Sequence, residues 1–194
     1  MSRSSLPALT LTLAIAACST TPSTASAPPA PVARSHTPAD VHFMGGMITH
    51  HAQAVLMGGW ATDDTHGASA AVRALSERIV VAQTDEIASL ERWLREHNEA
   101  PMDHQMLMPG MLSPEQLARL DGARGPEFDR LFLTLMIQHH QGAITMVDQL
   151  LGAPGAAQDG LVFRFAADVH ADQTTEIERM QRMLAALPSG GYEP

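Results

Sequence analysis

Shifted by 89 positions, the chain lies on itself: Asp40, Phe43, Met47, Ile48, His50, His51, Ala54 and Met57 coincide with Asp129, Phe132, Met136, Ile137, His139, His140, Ala143 and Met146. A shift of 90 then matches Gln83, Glu86 and Ile87 with Gln173, Glu176 and Ile177. Whatever this chain folds into must contain the same unit twice. At about 100° per residue, Asp40, Phe43, Met44, Met47, His50, His51, Ala54, Val55, Met57 and Gly58 share one helical stripe, with Thr49, Gln53 and Trp60 outside it. Neighbouring residues diverge by the same angle, so His50 and His51 straddle the middle of the stripe and face inward, as do His139 and His140.

The second helix of each copy carries a carboxylate in its apolar stripe: Glu86 among Val72, Leu75, Ile79, Ala82, Leu90 and Trp93, and Glu176 among Val169, Met180, Met183 and Leu187. Gln83 and Gln173 sit one turn earlier, so each hairpin offers an amide and an acid opposite its His pair. Four long amphipathic helices in two hairpins predict an all-α, antiparallel four-helix bundle over 40–188, with repeat one at 40–98, a linker at 99–125 and repeat two at 126–188. Within the linker, Ser113-Pro-Glu-Gln116 predicts a capped short helix running to about Asp121, and Gly122 and Gly125-Pro126 break it.

Ahead of the bundle, Arg3 and the apolar run from Leu6 to Ala17 have the length and flanks of an export signal at 1–17. The small residues before Cys18 resemble the lipobox of bacterial lipoproteins, which implies that Cys18 becomes the lipidated first residue of the mature chain and anchors it to a membrane of the cell envelope, facing the periplasm or the outside. The segment 18–39 is rich in Ser, Thr, Ala and Pro and is predicted to be a disordered tether, with folding beginning near Asp40.

Composition narrows the chemistry. A formal charge of -9 and 4% aromatic residues argue against nucleic acid as a partner. One cysteine excludes an internal disulfide or a zinc ribbon, whereas ten His and twelve Met are conspicuous. Imidazole suits several transition metals, but thioether is soft and selects Cu(I) or Ag(I). The candidate ligands are His50, His51, His139 and His140; Met47, Met57, Met136 and Met146 beside them; and the loop residues Met102, His104, Met106, Met108 and Met111, whose flexibility would let sulfurs converge on one ion. Gln83, Glu86, Gln173 and Glu176 would support the ligands. The same four His could instead be satisfied core residues bonded to those acids and amides, and the Met loop could simply cap the bundle. His36, His42, His66, His97 and His170 lack the repeated context and are read as surface residues. No Glu-x-x-His occurs, which argues against a di-iron oxygen-activating centre, and no phosphate loop or nucleophile elbow is present.

Met-Ile-x-His-His-x-x-Ala with Met six residues beyond the second His, paired with Gln-x-x-Glu-Ile and occurring twice, resembles the secreted ferritin-like helix-bundle family catalogued as domain of unknown function three hundred and five. The resemblance covers Asp40 to Leu187, including the Met-Pro-Gly-Met turn at Met108 to Met111. It implies a ferritin-like bundle and, because some members bind copper or silver in the periplasm, a role in metal tolerance. Residues and resemblance together predict a non-catalytic envelope protein that captures Cu(I) or Ag(I), needs no organic cofactor, and either buffers the ion or passes it to a metal-delivery or envelope protein. A structural or interaction module with a buried His-Glu network is the alternative, and copper-dependent redox chemistry a lesser one.

Overall fold

The computed structural model describes residues 36–102 and 108–188. The predicted export signal, Cys18 and most of the tether lie outside the described residues, as do His104 and Met106. Among the described residues the chain is all-helical: α1 (Pro38–Thr62), α2 (Ala70–Glu96), the short α3 (Pro114–Gly122), α4 (Gly125–Gly152) and α5 (Gly160–Ala186), with no strand. None of these helices is long and apolar enough to cross a membrane.

The folded region starts earlier than the sequence reading places it. The Thr37 hydroxyl accepts from the Asp40 backbone N–H at 3.2 Å, and Asp40 Oδ2 accepts from the Thr37 backbone N–H at 2.7 Å, a reciprocal cap with Pro38 at the first helical position. Pro38 therefore starts a helix inside the segment read as a disordered tether. His36 is not a surface residue either: its side chain is packed edge-on against Trp93 and His97, with Nε2 2.9 Å from Glu99 Oε1. His66 is likewise buried, between Trp60 and Phe128, with Nε2 3.0 Å from Asp121 Oδ1. His42 and His170 are exposed, as expected. The predicted cap at Ser113 is present, with Gln116 closing the reciprocal pair.

The main packing is α1 on α2, α4 on α5, and α1 on α4. His50 meets His139 while Gly46 meets Met146, so α1 and α4 run antiparallel across a pseudo-twofold relation between the hairpins. Two apolar clusters result. One gathers Phe43, Met44, Met47, Leu90, Trp93, Met146, Val147 and Val169, and the other Met57, Leu75, Ile79, Leu120, Phe128, Phe132, Met136 and Met180. The four His form a layer between them.

The helix α1 is buried on more sides than a single stripe allows: Thr49 and Gln53, predicted to face out, are buried. The segment from Met108 to Leu112 accounts for Gln53, whose Nε2 donates to the Leu112 carbonyl at 3.2 Å while its Oε1 accepts from the Leu112 N–H at 2.7 Å. In α2 the stripe drifts by one residue, so Ala82 is exposed and Gln83 takes the inward position.

Candidate metal centre

The two members of each His pair part company. The outer ones turn back to their own hairpin: His51 Nε2 lies 2.7 Å from Glu86 Oε2, and His140 Nε2 donates to Glu176 Oε2 at 2.6 Å. Glu86 thus lies as close to His51 as Glu176 does to His140. The inner ones, His50 and His139, meet across the α1–α4 contact with ring centroids 3.8 Å apart, and His50 Nε2 donates to the Pro109 carbonyl at 3.1 Å.

All four rings are inaccessible to solvent. Burial, reinforced by the neighbouring His51 and His140, pushes His50 down to about 3, and burial with His50 beside it holds His139 well below the ordinary imidazole value. Both rings are neutral at physiological pH. Between the hairpins' acids, burial and then the nearby Glu86 and Glu176 raise the Asp172 carboxyl above its usual range.

The Nδ1 atoms of His50, His51, His139 and His140 are buried without a hydrogen-bond partner, as are His139 Nε2 and the amide oxygens of Gln83 and Gln173. An imidazole whose one nitrogen is held by a carboxylate while the other keeps a free lone pair is the usual state of a metal-ligating histidine. However, no three His, Cys, Asp or Glu side chains among the described residues are placed to hold one ion. No group of three such side chains forms there, and the amides expected opposite the His pairs are inward but leave their oxygens unpaired.

Thioethers converge more closely. The pseudo-twofold puts Met47 with Met146 in the cluster on one side of the His layer and Met57 with Met136 in the cluster on the other. Only the first side receives the Met loop. A Cβ on Gly46 would come within 3.0 Å of Met108 Sδ and 3.4 Å of the Met146 methyl carbon, and one on Gly45 within 3.1 Å of Met102 Sδ. The two glycines thus open a gap in α1 that three methionines, two from the linker and one from α4, fill. Met111 completes the group, its Sδ accepting from the Met108 N–H at 3.3 Å.

The described part of this loop is held, contrary to the flexibility expected of it. The Met111 N–H closes the turn onto the Met108 carbonyl at 3.2 Å, and Gln138 donates to the Gly110 carbonyl at 3.4 Å. Gly110, at φ +78, rests on Gly142 of α4 so closely that a Cβ on either would overlap the other's backbone. Gly45, Gly46, Gly142 and Gln53 are site-forming residues that the sequence reading passed over. The Gly45-Gly46 pair inside a helical stripe was the available signal, since glycine there costs helix stability without a local reason.

Chemically, the site offers neutral sulfur and nitrogen donors in an apolar surround, and among the described residues no carboxylate lines the cavity of Met108 and Met146. Such a set suits a soft monovalent ion and is poor for Mg, Ca or Zn.

No curated protein matches the chain. Among solved structures, a DUF305 fragment from Deinococcus radiodurans is 30% identical, with a TM-score of 0.69 over 78% of this chain and 99% of that one. A DUF305 protein of Streptomyces coelicolor, described as secreted, is 26% identical, with a TM-score of 0.69 over 79% and 94%. CopM in its Cu(I)-bound form is 25% identical, with a TM-score of 0.61 over 77% and 98%. The model of the domain of unknown function DUF305 matches residues 40–184, and the chain therefore belongs to that family.

Proposed function

We propose that this protein captures Cu(I) or Ag(I) at the thioether group of Met102, Met108, Met111 and Met146, as a non-catalytic protein of the cell envelope. The packing of Met102 against Gly45 and of Met108 and Met146 against Gly46, with Met111 bonded to Met108, carries the reading. The Cu(I)-bound structure of CopM supports it. Export and lipid anchoring through Cys18 fit the role, because thioethers need not lose a proton to bind and do not oxidise to disulfides outside the cytoplasm. Buffering the ion for metal tolerance, or passing it to a delivery protein, would follow. The domain itself is read as a ferritin-like antiparallel four-helix bundle.

A second reading applies to the His layer alone. The His51–Glu86 and His140–Glu176 contacts tie each hairpin together, and the facing rings of His50 and His139 join the hairpins. This favours a structural role for the four His, with Met57 and Met136 packing the far core.

Competition against a Cu(I) chelator tests both readings. The Met102/Met108/Met111/Met146→Leu variant, which keeps side-chain volume, should lose about a hundredfold or more in affinity, about 2.8 kcal/mol. Wild-type affinity in that variant would refute capture by these thioethers. Strong loss in His139→Gln with the thioethers intact would return the centre to the His layer.

A further inference from the structure

We infer that His42 is the capture ligand of the thioether group, stationed at the mouth through which the ion arrives. The inference rests on the copper reading above. His42 has no counterpart in the repeat, where Leu131 stands in its place, and the sequence reading leaves it as a surface residue. It nevertheless lines a cavity of about 140 Å³ between α1 and α4, together with Phe43, Met108, Met146, Gln149 and Leu150.

The lining is graded. His42 and Gln149 are exposed, whereas Phe43, Met108, Met146 and Leu150 are at most 6% exposed. The sulfur-bearing floor is the one that the absent Cβ of Gly46 leaves open. One side of this cavity is therefore wet and nitrogen-bearing, and the other is dry and sulfur-bearing.

A single thioether is a neutral donor that displaces a small carrier ligand from an arriving ion poorly, although several together hold a soft ion. Imidazole is a stronger donor and still accepts copper or silver. An exposed imidazole beside two thioethers allows the ion to exchange its outside ligands one at a time, with nitrogen first and sulfur after. The apolar Phe43 and Leu150 walls then keep solvent from reversing the exchange. Among the described residues no acid lines this mouth, so they offer a hard divalent cation little there.

The test uses the full chain with methyl-labelled methionine and Ag(I) as a closed-shell probe, followed by NMR, alongside Cu(I) competition. Ag(I) should shift the Met108 and Met146 methyl signals and the His42 ring signals at the same equivalence. His42→Ala should weaken affinity about tenfold and slow uptake, while His170→Ala, an exposed imidazole elsewhere, should change neither. His42→Met, which returns a soft donor, should restore most of the loss. Unchanged affinity and uptake in His42→Ala, with the two methyl signals still shifting, would overturn the role of His42 and leave thioether capture standing. Absence of binding by the wild type would instead overturn the copper reading, and this inference with it.

Discussion

His50 and His139 meet in a layer that water does not reach, and their neutrality is part of what keeps the hairpins together. An unfolded imidazole titrates near about 6.5, whereas native His50 does so at about 3. Between those values the unfolded chain binds the extra proton, so stability present above about pH 6.5 is lost progressively as the pH falls toward 3, by up to about 1.4 kcal/mol per pH unit per histidine. Urea denaturation at pH 7.5, 6 and 5 should show a falling midpoint in the wild type and a shallower fall in His139→Leu. A midpoint independent of pH over that range would contradict the buried neutral pair. The sequence revealed that both His of each pair face inward, because the repeat doubles the signal. It could not divide the pair into a ring that faces Glu86 and a ring that faces the other hairpin. That division depends on where α1 crosses α4, which no residue near His50 records.

At the level of elements, the repeated aspartates fasten each hairpin to the other. Asp40 Oδ1 accepts from the Ala157 N–H at 2.7 Å in the loop between α4 and α5, and the Asp129 carboxylate accepts from the Ser69 N–H at 3.0 Å at the start of α2. Both acids are buried. Asp129→Ala should cost about 1–3 kcal/mol, because it strands a donor at a helix start, and Asp129→Asn should cost less because an amide oxygen still accepts. Urea midpoints at pH 7 measure the difference. The Met108–Met111 turn offers a second check. A methyl group on Gly142 would collide with the Pro109 backbone, so Gly142→Ala should lift the turn, cost about 1–3 kcal/mol and weaken Cu(I) binding. The matched aspartates were visible in the sequence as a coincidence without a role. Gly142 gave no sign, since its partner backbone is remote along the chain and a single glycine in a helix is common.

For the molecule as a whole, duplication is the feature that the sequence exposed most fully, and the all-helical fold follows from it. Because α1 is covered by α4 and by the Met108–Leu112 segment as well as by α2, one hairpin alone exposes an apolar face. The separate fragment 36–101 should therefore show much less helix by circular dichroism than its share of the intact chain. A stable, fully helical fragment would mean that each repeat folds unaided.

Doubling a hairpin produces two equivalent ends, yet the linker dresses just one of them with sulfur. The two ends are therefore no longer interchangeable. For an ion held between Met108 and Met146, residence time would be governed by how long the Met108–Met111 turn stays seated on Gly142. A recipient would then have to compete for the ion at the end that this turn closes.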